Sequence, residues 1–200
     1  VVNRRKPGGW SQAEVADLAI EQVKEAGSCL VIVNTKKAAQ VVYQLCRQFP
    51  GAEVFHLSTG MCPAHRKAQL NSIRLRLQAK PCLPTLCVST QLIEAGVDVD
   101  FSTVVRYVAG LDSIAQAAGR CNRNGHREKG MVYVVNPRSE DENLSRLPDI
   151  RIGKEKAEGV LIDFVEDPAR FGGICIGPLA MGRYYQDYFF ARAADMSYPL

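Results

Sequence analysis

Short, continuous apolar segments alternate with amphipathic segments along residues 11–140 of the chain. The apolar segments are rich in β-branched residues and are bounded by turn residues, which is typical of strands buried on both faces of a parallel sheet. Five strands are predicted, at 29–33, 52–57, 85–89, 103–108 and 131–135. Because strands and helices alternate, the pattern predicts an α/β fold in which helices cover both faces of a parallel sheet.

The amphipathic segments predict helices between these strands, at 11–26, 36–48, 63–80 and about 112–123. Ser11, with Glu14 three residues later, matches a capping box at the start of the first helix. Thr35 precedes the second helix as an N-cap, and Pro63 occupies the favoured first position of the third. Local sequence therefore predicts where most of the helices begin.

The composition changes after Pro137. A polar stretch comes first, and helical patterns follow at 154–165 and 179–196. The second pattern is rich in aromatic residues, and we expect these side chains to pack within the protein and not to stack on nucleic-acid bases. We therefore predict a linker at 1–10, an α/β lobe at 11–140, and a mostly helical C-terminal region at 141–200 that combines a linker with the start of an accessory region.

Composition restricts the class of protein. The chain has 200 residues, of which 46% are hydrophobic and 23% charged, as in ordered globular proteins. Its longest uninterrupted apolar run, Cys29–Val33, is far shorter than a spanning helix, so we expect no membrane partner. The seven cysteines are odd in number and form no Cys-x-x-Cys pair, which favours a reducing cytoplasm. Since the first residue is Val1 and not Met, we expect an excised part of a longer protein.

Motifs for binding phosphates or metals are missing from the sequence. It contains neither Gly-x-x-x-x-Gly-Lys-Ser/Thr nor Gly-x-Gly-x-x-Gly. Asp141-Glu142 follows polar residues instead of an apolar strand and is a poor magnesium-binding pair. Cys62 and His65 could supply half of a zinc site, but no second pair has matching spacing. We therefore expect no metal site here, and no complete site for the β- and γ-phosphates of a nucleotide.

The segment from Gln116 to Arg123 concentrates candidate chemistry. Arg120 and Arg123 are three residues apart, which places them on one face of a predicted helical turn. Gly119 lacks a side chain and would let another backbone approach. Two guanidinium groups held in this way suit the charge that develops on a triphosphate during phosphoryl transfer. The alternative is a solvated basic helix end that complements the helix dipole.

A second candidate segment follows the predicted strand at 85–89. Ser89 and Thr90 lie at its carboxyl end, where α/β sheets place ligand-binding groups. Gly96 permits a tight bend, and Asp98 follows two residues later. The hydroxyl groups could bind nucleic-acid phosphates and the carboxylate a ribose hydroxyl. The alternative is ordinary capping of a strand-to-loop junction by Ser, Thr and Asp.

The helix predicted at 63–80 is basic and contains no acidic residue. Its cationic residues are Arg66, Lys67, Arg74, Arg76 and Lys80. Contacts to phosphates bind nucleic acid without regard to sequence, so this helix is a candidate DNA-binding element. The alternative is a solvated face opposite a buried apolar stripe.

Both candidate segments together resemble motifs V and VI of superfamily 2 helicases. Ser-Thr-Gln-x-x-Glu-x-Gly-Val-Asp at 89–98 is followed by Gln-x-x-Gly-Arg-x-x-Arg at 116–123. The strand that leads to Asn34 resembles motif IV, and the resemblance covers about residues 11–136, the second RecA-like lobe. Cys121-Asn122, between the two arginines, makes the sequence similar to the CRISPR-associated helicase-nuclease of type I systems. The segment from Glu94 to Asp98 leans towards subtype C.

This resemblance implies a RecA-like fold and an ATP-driven translocase that moves 3′ to 5′ along single-stranded DNA. It implies recruitment by an RNA-guided CRISPR surveillance complex and location in a prokaryotic cytoplasm. The HD nuclease domain, with its divalent metal, would lie outside this chain. ATP and Mg²⁺ would be bound mainly by a first lobe, also outside it, so this chain alone is predicted to have no ATPase activity.

Carried over residue by residue, the resemblance makes Arg120 and Arg123 arginine fingers. The predicted nucleotide-binding residues are Gln116, Gly96, Asp98 and Gly119, with Asp98 at the ribose. With the basic helix included, the predicted DNA-binding residues are Ser89, Thr90, Arg66, Lys67 and Asn34.

Two other functions stay open at this point. One is another superfamily 2 helicase, acting on DNA in repair or on RNA. The other is a non-catalytic RecA-like lobe that serves as a docking platform for a protein partner, such as an anti-CRISPR inhibitor.

Overall fold

A six-stranded sheet forms the centre of the α/β lobe, as seen in a computed structural model that describes residues 1–94, 96–125 and 127–196. All neighbouring strands are parallel, in the order β1-β6-β5-β2-β4-β3. The strands are β1 Val2–Asn3, β2 Ser28–Ile32, β3 Glu53–Leu57, β4 Thr85–Ser89, β5 Thr103–Tyr107 and β6 Met131–Val135. The RecA-like parallel sheet is thereby confirmed. The strand at Val2–Asn3, in the segment predicted as a linker, pairs with Tyr133 and Val134 at the edge of the sheet.

Helices connect the strands and form the C-terminal region. They are α1 Gln12–Ala26, α2 Lys36–Cys46, α3 Pro63–Gln78, α4 Leu111–Ala118, α5 Pro148–Glu166 and α6 Pro178–Ala191. The predicted capping box is confirmed, because Glu14 N–H donates to Ser11 Oγ at 3.2 Å and Ser11 N–H donates to Glu14 Oε2 at 2.7 Å. Thr35 caps α2 by accepting from the Ala38 N–H at 3.1 Å. The helix predicted to reach about Arg123 is shorter than expected and ends at Ala118.

Each face of the sheet has its own apolar core, and β2 contributes to both. Cys29 and Val31 point to one face, where α1 and α2 cover them, whereas Leu30 and Ile32 point to the other. On that second face they pack with Ile73 of α3 and with residues of the 91–101 segment. Since β2 is buried throughout, its apolar run from Cys29 to Ile32 is explained by helices on both sides.

The chain divides into two compact units, Val1–Tyr107 with Gln116–Asn143, and Val108–Ala115 with Leu144–Leu200. In the second unit α5 and α6 bury Ala157, Leu161 and Tyr184. The Tyr184 hydroxyl donates to Asp112 Oδ1 at 3.0 Å. The aromatic side chains of α6 stack mainly on one another, although Phe190 is 87% exposed.

None of the helices in the described part of the chain has both the length and the apolar sequence to cross a bilayer. All seven cysteines are free thiols.

Candidate functional site

The segment between β4 and β5 crosses one face of the sheet and brings two carboxylates to the surface. After Ser89 the chain forms a 3₁₀ turn at Gln91–Ile93. Ile93, Val99 and Phe101 are buried and hold the segment against the core of that face. Gly96 adopts a φ of +68°, which fits the bend predicted there. The Asp98 side chain, two residues later, is 80% exposed.

The segment after α4 is joined to this crossing segment by a short parallel bridge. Phe101 N–H donates to the Arg120 carbonyl at 2.9 Å, and Asn122 N–H donates to the Phe101 carbonyl at 2.9 Å. Cys121 lies in the bridge, and its thiol donates to the Ser102 carbonyl at 3.3 Å. The prediction that Arg120 and Arg123 share one face of a helical turn is wrong, because the helix has ended before them and this bridge directs the chain instead.

Arg120 points along the crossing segment and binds its backbone. Its Nε donates to the Ile93 carbonyl at 3.0 Å, and its Nη2 donates to the Glu94 carbonyl at 2.6 Å. Loss of solvent, together with the nearby Arg123 guanidinium, lowers the pKa of Arg120. The side chain therefore braces the turn that follows Thr90 in this conformation.

Arg123 differs from Arg120 because its guanidinium lies at the surface. Its side chain is 44% exposed, and Nη1 forms an ion pair with Asp98 Oδ1 at 3.3 Å. Its backbone N–H donates to Asp100 Oδ1 at 2.8 Å, and the Asn124 N–H donates to Asp100 Oδ2 at 3.1 Å. Exposed ion pairs of this kind are weak, so the guanidinium can exchange Asp98 for a phosphate oxygen.

A cavity of about 460 Å³ adjoins these carboxylates. Its polar lining includes Arg74, Lys80, Asp98, Asp100, Asn124 and Arg127. Gln116 and Gly119 are exposed, the former on the last turn of α4 and the latter just after it. Among the described residues, no group of three or more His, Cys, Asp and Glu side chains could hold a metal ion.

A buried polar network under the site was not found from the sequence. Arg106 in β5 is fully buried, and its Nε contacts Glu94 Oε1 at 2.8 Å. Its Nη1 donates to Asn34 Oδ1, and Asn34 Nδ2 donates to Glu142 Oε1 at 2.8 Å. The sequence did contain a sign of this network, because Arg106 is a charged residue in the middle of a strand predicted to be buried. Such a residue needs an internal partner.

The predicted DNA-binding hydroxyls lie inside the lobe. Ser89 is fully buried, and its Oγ donates to the Thr90 carbonyl at 2.8 Å. Thr90 is 6% exposed, and within the described ranges its Oγ1 has no hydrogen-bond partner. Asn34 is 3% exposed and its amide is occupied by Arg106 and Glu142. Direct DNA contacts by these three residues stay predictions.

The cations of α3 fall into two groups. Arg74 donates to the Asp98 carbonyl at 2.9 Å, and Arg76 forms an ion pair with Glu53 at 2.8 Å. Arg66 and Lys67 have no ion-pair partner in the described part of the chain. They line a groove of about 290 Å³, together with Pro63, Leu70, Arg74, Leu92 and Val97. The surface cations of α3 and the segment after Thr90 thus form one groove.

Comparisons with known proteins match the chain to one family model and to relatives with two different names. Residues 25–126 match the model of the family described as "CRISPR-associated nuclease/helicase Cas3, C-terminal". A curated relative, the CRISPR-associated nuclease/helicase Cas3 of Haloferax volcanii, is 50% identical over 62 residues, which are 30% of this chain and 7% of the relative. The ATP-dependent helicase Lhr-Core of Sulfolobus acidocaldarius is 27% identical over 123 residues, 58% of this chain and 14% of that protein.

Among solved structures, T. fusca Cas3 superposes with a TM-score of 0.72 at 18% identity, over 96% of this chain and 25% of that chain. At this identity the likeness concerns the fold. The chain thus spans a small part of each of these proteins.

Proposed function

The chain belongs to the Cas3-like C-terminal family, and from this premise we propose that it is the second motor lobe of an ATP-dependent single-stranded DNA translocase. In the complete protein an HD nuclease domain outside this chain would degrade foreign DNA during CRISPR interference. The lobe would supply an arginine finger and contacts to DNA phosphates. A first lobe would make most of the contacts to ATP and its Mg²⁺. An RNA-guided surveillance complex would recruit the complete protein.

The exposed guanidinium of Arg123 is the observation that carries this proposal. Its side chain is 44% exposed, and within the described residues its guanidinium is held only by the surface ion pair with Asp98, whose carboxylate suits a ribose hydroxyl. As ATP binds between the lobes, Arg123 would leave Asp98 and bind the γ-phosphate, whose negative charge spreads over its oxygens during transfer. Asp98, freed from the ion pair, would accept from the ribose.

Arg120 would act differently, as the link between nucleotide and DNA. Its guanidinium holds the carbonyls of Ile93 and Glu94, at the end of the turn that begins after Thr90. A shift of the 120–123 segment towards ATP would therefore move that turn. Hydrolysis removes the phosphate that Arg123 holds, the cleft reopens, and the turn returns.

The groove beside α3 supports contact with the DNA backbone. Arg66 and Lys67 line this groove, and in the described part of the chain neither forms an ion pair with a carboxylate. Phosphate contacts of this kind carry no sequence information, as a translocase requires. Thr90 would reach a phosphate after the neighbouring turn moves.

The test is an Arg123→Ala variant of the full-length protein. ATP turnover should fall by about 10³-fold or more, whereas affinity for single-stranded DNA should stay nearly unchanged. Lys129→Ala is the matched control, because it removes an exposed cation from the same loop. An Arg123→Ala variant with the turnover of the parent would refute the arginine-finger role.

The isolated chain provides an independent test. Because the sequence contains no phosphate-binding loop, residues 1–200 alone should hydrolyse no ATP, with or without DNA. DNA-stimulated hydrolysis by this purified chain would contradict the two-lobe proposal.

The similarity to helicase Lhr-Core favours a second candidate, another superfamily 2 helicase without nuclease activity. Metal-dependent cleavage of single-stranded DNA by the full-length protein separates the two. Cleavage supports the CRISPR helicase-nuclease, and unwinding without cleavage supports the second candidate.

A further inference from the structure

We propose that Asp100 is a positioning residue for ATP hydrolysis, because its carboxylate fixes the backbone from which the Arg123 side chain extends. This inference rests on the arginine-finger role proposed above for Arg123. It assigns a task to a carboxylate that has no role in either candidate motif.

The two carboxylate oxygens of Asp100 accept hydrogen bonds from the backbone amides of two consecutive residues. Oδ1 accepts from the Arg123 N–H at 2.8 Å and Oδ2 accepts from the Asn124 N–H at 3.1 Å. A carboxylate that accepts from two adjacent amides sets the orientation of the peptide between them, and hydrogen bonds to an ionised acceptor are the stronger kind. The direction in which the Arg123 Cα–Cβ bond leaves the chain is therefore determined by Asp100.

Asn122 holds the same backbone from the other side. It adopts a φ of +48°, a conformation that Asn tolerates better than most residues. Its Oδ1 accepts from the Arg127 N–H at 3.0 Å and its Nδ2 donates to the Arg127 carbonyl at 2.7 Å. Since no helix reaches Arg123, these side chain–backbone hydrogen bonds take the place of helical hydrogen bonds in holding it.

The two carboxylates of this segment have separate tasks. Asp98 contacts the guanidinium of Arg123, through an exposed ion pair that a phosphate can replace. Asp100 contacts its backbone, through bonds that remain while the side chain changes partner. A displacement of about 1 Å at a catalytic group costs on the order of 10²-fold in rate. Loss of the two backbone hydrogen bonds should therefore lower the rate of ATP turnover.

The experiment measures kcat and KM for DNA-stimulated ATP hydrolysis by the full-length protein. Asp100→Ala should lower kcat by about 10²-fold and change KM for ATP by less than about threefold, because the guanidinium is present but misplaced. Asp100→Asn keeps one acceptor oxygen and the side-chain volume, and its kcat should lie between those of the parent and Asp100→Ala. Glu128→Ala removes an exposed carboxylate from the same loop and should match the parent.

The decisive measurement is the double variant. If Asp100 acts through Arg123, adding Asp100→Ala to Arg123→Ala should lower kcat by less than about threefold further. A further loss as large as that in the parent background would overturn the positioning role. So would a parent-like kcat for Asp100→Ala and Asp100→Asn while Arg123→Ala is impaired. If Arg123→Ala itself retains full turnover, the proposed function fails, and the inference fails with it.

Discussion

The stability of the α/β lobe should be sensitive to the loss of either partner of the buried ion pair between Glu94 and Arg106. Their side chains are 5% and 0% exposed, and Glu94 Oε1 lies 2.8 Å from Arg106 Nε. At this distance, with an effective dielectric constant of about 20, the attraction is about 6 kcal/mol. Removing both groups from water costs several kcal/mol for each ion, so the net contribution of the intact pair is small. Removing one partner leaves the other charge buried without its ion-pair partner, and its remaining hydrogen bonds to neutral groups do not replace the opposite charge.

Glu94→Gln should therefore lower the free energy of unfolding by about 3 to 5 kcal/mol. Urea unfolding of the 200-residue chain, followed by the fluorescence of its single tryptophan, Trp10, reports on the unit that contains the pair. With a slope of about 2 kcal/mol per molar urea, the midpoint should fall by roughly 2 M. Glu53→Gln is the matched control, because that carboxylate is 56% exposed in its ion pair with Arg76 and should cost less than about 1 kcal/mol.

A double-mutant cycle tests the reasoning directly. Arg106→Met alone should also destabilise the lobe by about 3 to 5 kcal/mol, because it leaves the Glu94 carboxylate buried. The variant with both changes should lose at least about 2 kcal/mol less than the sum of the two single losses. Additive losses, or a Glu94→Gln midpoint that matches the Glu53→Gln control, would refute the account.

Three further predictions concern the groove, the cysteines and the first helix cap. Changing Arg66 and Lys67 together to Ala should weaken single-stranded DNA binding by the full-length protein and reduce its salt dependence by about 1.4 in the slope of log K against log salt, measured by fluorescence anisotropy. An unchanged slope would place the DNA elsewhere. Iodoacetamide at pH 8 should label exposed Cys62 in the folded chain but not Cys29, whose pKa burial raises well above the ordinary thiol value. Peptide mass spectrometry measures this, with the denatured chain as control, and rapid labelling of Cys29 would contradict its burial. Ser11→Ala removes a capping hydrogen bond and should cost about 1 kcal/mol in the same urea assay, so an unshifted midpoint would count against the capping box.

The strands and caps were predictable because their signals are local. The predicted segment at 85–89 is the observed β4, and the other long strands lie within one residue of their predicted ends. A β-branched apolar run needs burial on both sides, whichever elements provide it. Ser11 and Thr35 cap their helices through amides three residues away, so a short sequence window contains both partners.

The positions of the candidate site residues in the fold could not be predicted from the sequence. Motif resemblance selected Asp98, Arg120 and Arg123 as candidates, and their side chains take up positions that sequence spacing could not show. Arg120 turns inward to carbonyls 26 and 27 residues earlier in the chain, and Arg123 remains at the surface. The hydrogen bonds of Asp100 join residues 23 and 24 positions apart, which no local pattern specifies.

By itself, then, the sequence determined the alternation of strands and helices, the burial of the central strands and the absence of a phosphate-binding loop. These properties follow from the order of apolar, cap and glycine residues along short stretches of chain. Only the tertiary structure decided that α4 ends before Arg120, that Val2–Asn3 adds an edge strand, and that Arg106 lies in a buried network. The physical reason is the same in each case: a backbone or charged group takes the hydrogen-bond partner that folding brings beside it, and that partner is distant in sequence.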